Sequence, residues 1–342
     1  MNVKLKKFLE LVAIVVIALI VALSSPFNPV GKGDFTPVQQ QILDIAHSVR
    51  DGYLAYVELD GHYGPVVYEF YGLGYLITET HVVQFIMEVV ILLATVLFMF
   101  KTAKLYTSDL FALVATALLA IFEWGALTHA GAEELMFFVL TLTVYHVARQ
   151  LKAGYLSHHT YLLAVDLGLV CFIQPGYVWL WVALILMFAV KFKVDGVDGK
   201  HYRSFWMSMP EGIITVLAPV ILYLVYFKNA SAFFDKVFVY NMSNIDFSSV
   251  GEGLKIICGS PWIAFVPLLV VLIIIKAVGG EKIDDLCIYL GVVVFAIFIF
   301  AIQGEKVDSV LQLSKALYIV PLAGLFSLCD KALGWKVAEG DD

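Results

Sequence analysis

The chain has 342 residues, 61% of them hydrophobic and only 15% charged, with a formal net charge of -7. No aqueous globule hides that much apolar surface, so lipid is the solvent that the composition predicts, and a mean hydropathy of +0.88 agrees. The acidic balance, with no basic run beyond Lys4-Leu5-Lys6-Lys7, argues against a nucleic-acid partner, and four scattered cysteines (Cys171, Cys258, Cys287, Cys329) offer neither a disulfide framework nor a C-x-x-C metal spacing.

A helix needs about 20 apolar residues to cross a bilayer. On that basis ten spans are predicted, over 8–24, 83–100, 108–127, 134–149, 159–174, 176–192, 209–227, 262–280, 286–303 and 315–333. The first has the Lys-rich start and small-residue end of a signal peptide, but nine further spans make it an uncleaved anchor. With the N-terminus inside, fifteen Lys and Arg fall on cytoplasmic segments and seven on outer ones. Spans also end on cytoplasmic cations, as in Phe100-Lys101 and Lys191-Phe192-Lys193. The positive-inside rule therefore puts both termini in the cytoplasm. The expectation is an all-α integral membrane protein forming a single polytopic domain over 1–342, with a long first outer loop at 25–82 and a second at 228–261.

The first outer loop is longer than two neighbouring helices need, and unexplained length in a compact protein is usually functional. Thr36 is a good N-cap and Pro37 suits the first helical position. Val38, Ile42, Ile45 and Val49 then recur at helical spacing, and Gly52 ends the pattern. This predicts an amphipathic helix on the membrane surface, with Asp34 just before it, where free backbone N–H groups orient a carboxylate. Gly64-Pro65 breaks the chain, and Val66 to Ile77, interrupted by Glu69, Gly72 and Gly74, reads as a second juxtamembrane or re-entrant segment. Tyr56, Tyr63, Tyr68, Tyr71 and Tyr75 suit the headgroup level.

The next outer loop, Thr128 to Leu135, carries Glu133 and Glu134 beside His129 at the mouth of the fourth span. A charge near the membrane is expensive, which favours a functional reading, although carboxylates also cap helix N-termini. Gln174 in "IQPGY" and Asn241 in "VFVYNMSN" complete the polar set on that face. Elsewhere, Asp44, Asp51 and Asp60 read as solvated loop acids. Glu88 and Asp166 read as hydrogen-bonded acids at helix interfaces with no basic partner at membrane depth, and His158-His159 as headgroup contacts.

Together these residues resemble the GT-C superfamily of membrane glycosyltransferases, in particular the bacterial polytopic members that build cell-envelope glycans. Many of those carry a loop of the form G-x-x-P-Y-x-D-x-x-D-H-K-G-P. Here Gly52-Tyr53-Leu54-Ala55-Tyr56-Val57-Glu58-Leu59-Asp60-Gly61-His62-Tyr63-Gly64-Pro65 aligns without a gap. It departs at Ala55 (for Pro), Glu58 (for Asp), Gly61 (for Asp) and Tyr63 (for Lys). A second family element, G-x-x-T-E-E, survives as the acid pair in Gly131-Ala132-Glu133-Glu134. The likeness covers roughly residues 8–245.

The resemblance implies a polyprenyl-phosphate-linked sugar donor and an envelope glycan, lipid or protein acceptor, with transfer at the outer face of a bacterial plasma membrane. It casts Asp34, Glu58, Glu134 and Glu133 as the catalytic acids, with Asp34 as general base. Arg50 and His62 become phosphate contacts, and Tyr56, Tyr63, Gln174 and Asn241 substrate contacts. Some relatives bind a divalent cation, Mg or Mn, through such acids, here Asp34, Glu58 and Glu134. Two other readings stand beside it: a transporter or flippase of lipid-linked glycans, and a non-catalytic GT-C-like assembly partner. A transporter is expected to show paired repeats with matching broken helices, and none is visible.

Overall fold

A computed structural model describes residues 3–31, 33–242, 245–302 and 314–335; Gln303, the last residue of the ninth predicted span, lies outside them. All regular structure among the described residues is helical, and the β-type pairing is one isolated bridge between Ala55 and Leu59. In chain order the helices are α1 (Val3–Ala22), α2 (Pro37–Arg50), α3 (Pro65–Tyr75), α4 (Val82–Lys104), α5 (Asp109–Phe122), the single turn α6 (Trp124–Leu127), α7 (Ala132–Ala153), α8 (Ser157–Ile173), α9 (Val178–Val194) and α10 (Gly199–Tyr226). There follow α11 (Ala230–Phe233), a π-helix over Phe234–Val239, α12 (Tyr240–Met242), α13 (Val250–Gly259), α14 (Phe265–Val278), α15 (Asp284–Ala301) and α16 (Ile319–Leu333).

A helix therefore occupies each of the ten predicted segments, but not all are equally suited to lipid. Among the described residues, six helical stretches are long and apolar enough to cross a membrane: Val82–Lys104, Pro175–Val194, Gly199–Tyr226, Pro261–Val278, Asp284–Ala301 and Lys315–Leu333. α5 and α8 are apolar but short, and at about 1.5 Å per residue they fall below the roughly 30 Å of a hydrocarbon core. α1 retains Lys6, Lys7 and Glu10 within its length.

α7 is the instructive exception. It carries Glu133, Glu134, His146, Gln150 and other polar residues, and all four of these are buried. A helix wrapped by protein instead of lipid needs no apolar outer face. α4 packs along one side of it and α8 along another. That central position explains why it is the least hydrophobic of the long helices.

Two boundaries differ from the sequence expectation. α10 starts at Gly199, ten residues before the predicted span, because Asp198 caps it by accepting from the Lys200 N–H (3.0 Å) and Pro210 is absorbed inside the helix. The third predicted span breaks at Glu123, whose carboxylate pairs with Lys315 at 2.9 Å, so α5 ends early and α6 follows.

Candidate functional site

α2 and α3 shape the long loop between α1 and α4. At the start of α2 a complete capping box forms: Thr36 Oγ1 accepts from the Gln39 N–H (3.3 Å), and the Thr36 N–H donates to Gln39 Oε1 (2.7 Å). The other end of the same Gln39 amide donates to the His129 carbonyl. One side chain thus fixes the helix start and brings it to the turn before α7. Asp34, two residues ahead of the cap, is exposed and has no hydrogen bond or ion pair among the described residues.

Beyond α2 the chain folds into a knot that presents the 52–65 string. Glu58 curls back so that its carboxylate accepts the Leu54 N–H at 2.6 Å. Tyr56 is buried with φ +74°, a conformation unusual for a residue with a Cβ. Its ring packs on Phe233 (5.3 Å) and its hydroxyl donates to the Tyr63 carbonyl (3.0 Å), while the Tyr63 N–H donates to Tyr68 Oη (3.2 Å). Burial pushes the Tyr56 and Tyr63 hydroxyls well above the usual tyrosine range. For Tyr63 the nearby charge of Glu133 adds to that effect, followed by Tyr177.

The knot docks at two points. Gly64 closes it on α8, its N–H donating to the Ile173 carbonyl at 2.8 Å; a Cβ there would stand 1.9 Å from the Phe172 carbonyl oxygen, so only glycine fits. On the other side His62 stacks on Tyr240 (4.0 Å, 17°), and its carbonyl accepts from the Asn241 amide (3.1 Å). Lys236 pairs with Asp60 at 2.9 Å, holding that carboxyl below its ordinary value, and donates to the Leu59 carbonyl. Asp60 and Asp51 are exposed, as the sequence reading of solvated loop acids expects, and each also has a surface ion pair, Asp51 with Arg50 at 2.8 Å.

Glu133 and Glu134 both lie in the first turn of α7, but they face different surroundings. Glu134 points inward, accepting from the Ala130 N–H (3.1 Å) and the Tyr71 hydroxyl (3.4 Å). Glu133 has His129 Nε2 at 3.6 Å, and its buried Oε2 has no hydrogen-bond partner. Gln174 likewise keeps a buried Oε1 without a partner, next to the Pro175–Tyr177 turn.

The fold thus gathers Tyr63, Glu133, His62 and Asn241 around the docked string, with Asp34 carried to the His129 end. It does not gather Arg50. That guanidinium sits at the far end of α2, bound to Glu79 (2.6 Å), Asp51 and the Tyr75 carbonyl. The hydrogen bonds that Glu79 accepts from Arg50, and after them the one with His47, hold its carboxyl below its ordinary value. Tyr71, read from the sequence only as a headgroup-level ring, joins the site, and so do Gln39, Tyr177 and Tyr240, which the sequence did not single out. The only sequence signal for them was that Tyr177 and Tyr240 sit in the two short polar strings of the same face. Asp34, Glu58 and Glu134 share no coordination point, since Glu58 is turned to Leu54 and Glu134 to Ala130. Among the described residues no cluster of three or more His, Cys, Asp or Glu side chains has metal-holding geometry.

An apolar cavity of about 650 Å³ adjoins the knot. Gly52, Tyr53 and Leu54 bound it from one end of the string, and Pro65 and Val66 from the other; Pro219, Val220 and Tyr223 of α10 form the facing wall. Glu69 is its one charged residue, and the apolar walls push that carboxyl above the ordinary glutamate value. Compared with protein families, with curated proteins and with solved structures, the chain finds no match in any of the three.

Proposed function

We infer that the chain is a GT-C-like membrane glycosyltransferase, embedded in a bacterial plasma membrane through the ten predicted segments with both termini in the cytoplasm. It moves a sugar from a polyprenyl-phosphate donor to a cell-envelope acceptor at the outer face. One observation carries this reading. The apolar cavity is bounded by both ends of the docked 52–65 string, so a hydrocarbon chain lying between α3 and α10 presents its phosphate to the string's polar residues. Ligand sites of this kind pair a mostly apolar wall with a few placed polar groups.

In that arrangement the acceptor hydroxyl attacks the anomeric carbon of the donor. The new glycosidic C–O bond forms as the anomeric bond to phosphate breaks, and the electron pair leaves with the lipid phosphate. Asp34, exposed and without a partner among the described residues, takes the hydroxyl proton; Glu133, whose Oε2 faces His129 Nε2 at 3.6 Å without a hydrogen bond, orients the acceptor. The His62 ring and the Lys236 ammonium, which meet at the string, receive the phosphate. Arg50 is left to its structural pairing with Glu79.

The test uses the purified full chain, radiolabelled polyprenyl-phospho-sugars and envelope acceptors. Wild type is expected to transfer sugar, and Asp34→Asn to lose about 10²–10⁴-fold, the usual contribution of a positioned base. Glu58→Gln should lose little, because an amide oxygen still accepts the Leu54 N–H. Equal transfer by Asp34→Asn overturns the base assignment. Passage of labelled solute across proteoliposomes with no donor consumed replaces this reading with the transporter one.

A further inference from the structure

The first turn of α8 and the middle of α7 bring together a set of titratable side chains remote from the 52–65 string. His146 Nδ1 and His159 Nδ1 stand 2.8 Å apart. His146 Nε2 faces Asp166 Oδ2 at 4.0 Å. The Thr143 hydroxyl lies 2.9 Å from that same oxygen, and Trp181 Nε1–H donates to Thr143 Oγ1 at 2.8 Å. His146, His159 and Asp166 are 5%, 7% and 3% exposed. His158, by contrast, is exposed, its ring 4.3 Å from that of His159. The sequence reading gave Asp166 no basic partner and left both histidines at the surface; His146 and the burial of His159 correct both points.

We propose that His159, His146 and Asp166 form a buried proton relay, with Asp166 as a proton-binding site loaded from the Ser157 end of α8. Three geometric facts support it. First, the 2.8 Å separation is a hydrogen bond, not a shared metal. Two nitrogens at about 2.0–2.1 Å from one tetrahedral zinc would stand roughly 3.3 Å apart. Second, the tautomers are coupled. With His159 Nδ1–H donating to His146 Nδ1, neutral His146 carries its hydrogen on Nε2, the nitrogen that faces Asp166. Third, the pocket satisfies Asp166 in both protonation states. Thr143 has the Val139 carbonyl at 2.9 Å as an alternative acceptor. Ionised Asp166 accepts from Thr143; protonated Asp166 donates to Thr143 Oγ1, whose own hydrogen then turns to Val139.

The transfer balances without a co-reactant. A proton from water reaches His159, whose Nδ1 hydrogen passes to His146 Nδ1; His146 releases its Nε2 hydrogen to the Asp166 carboxylate. The last gap, at 4.0 Å, exceeds a hydrogen bond and closes by a tilt of the ring or through one water. Along α8 the path from Ser157 to Asp166 rises roughly 14 Å. Arg149 on α7, and Lys101 of α4 lying 6.0 Å over the Tyr145 ring, are the fixed charges around the histidine pair. The relay does not depend on the sugar-transfer reading.

Infrared difference spectroscopy of the full chain in nanodiscs tests this. On acidification, wild type should show a protonated-carboxyl band that Asp166→Asn lacks. In His146→Gln the band should rise at least tenfold more slowly after a pH jump. Thr143→Val keeps the band but should shift its pH midpoint, which covers the case of an Asp166 variant that folds poorly. A full band in Asp166→Asn, or an unchanged rate in His146→Gln together with an unmoved midpoint in Thr143→Val, overturns the relay.

Discussion

Glu133 and Glu134 are neighbours in sequence and opposites in environment. Successive residues on a helix point about 100° apart, so one faces the Tyr71 side of the bundle and the other the His129 side. Removing Glu134 leaves the Ala130 N–H unpaired in a buried turn where Ala130 itself holds φ +51°. An orphaned buried donor costs about 1–3 kcal/mol. Glu134→Ala is therefore expected to lose at least that much stability in denaturant unfolding, whereas Glu133→Gln, which breaks no hydrogen bond, stays within about 0.5 kcal/mol. If Glu133→Gln proves the more destabilising of the two, their roles are reversed. The sequence left this pair balanced between a helix cap and a catalytic site. It carried the helical spacing but not which face Tyr71, more than sixty positions away, would occupy.

His81 supplies a pH dependence at the same scale. Its ring packs edge-on against Phe27 (5.7 Å) and Phe35 (5.1 Å), with Nε2 at 3.0 Å from the Tyr75 hydroxyl, and burial lowers its pKa below the ordinary 6.5. The folded state thus favours the neutral ring, and the unfolded state binds the proton more readily. The stability it contributes is complete above the unfolded value near 6.5 and is lost as pH falls through the folded one. Thermal melts at pH 7 and pH 5 should show a drop in wild type that is smaller in His81→Phe; an identical drop removes His81 as the cause.

Among the elements, the 52–65 knot depends on one contact more than on any ion pair. Lys236–Asp60 is a surface pair with Asp60 74% exposed, worth little on its own. Gly64, by contrast, lies against the α8 backbone with no room for a methyl group. Gly64→Ala must push the chain off α8 and weaken the Ile173 hydrogen bond, an overpacking cost of roughly 1–3 kcal/mol or more. Gly251→Ala in α13, where an added Cβ meets nothing within 4 Å, is the matched control and should be neutral or stabilising by up to about 1 kcal/mol. Proteolysis of the loop, faster in the first variant alone, is the readout. α2 was fully legible in the sequence, because its cap, proline and apolar spacing are local signals. The start of α10 was not, since polar residues ahead of Pro210 do not look like part of an apolar helix. The knot itself was legible only as a string of turn residues. Its docking partners lie more than a hundred positions away.

At the scale of the whole molecule, helix positions were readable because each apolar run reports on its own solvent. Orientation is a different kind of inference. It rests on where Lys and Arg fall between runs, a property no packing contact records. The free cysteines make it measurable. Cys258 is exposed near the end of α13, within the loop that the proposed orientation puts outside, while Lys200, exposed in the first turn of α10, belongs to a cytoplasmic turn. In a chain retaining Cys258 as its one thiol, a membrane-impermeant maleimide should label intact cells. With Cys258 removed and Lys200→Cys introduced, labelling should require permeabilised cells. Reversed labelling would turn the molecule over. It would also put the 52–65 string and Asp34 on the cytoplasmic side, away from any envelope acceptor. Labelling of both thiols in intact cells would mean that α10 does not separate the two faces, because α11 and α12 are single turns and α13 has ten residues. Among the described residues between Lys200 and Cys258, α10 alone is long and apolar enough to cross, so the experiment reads its crossing directly.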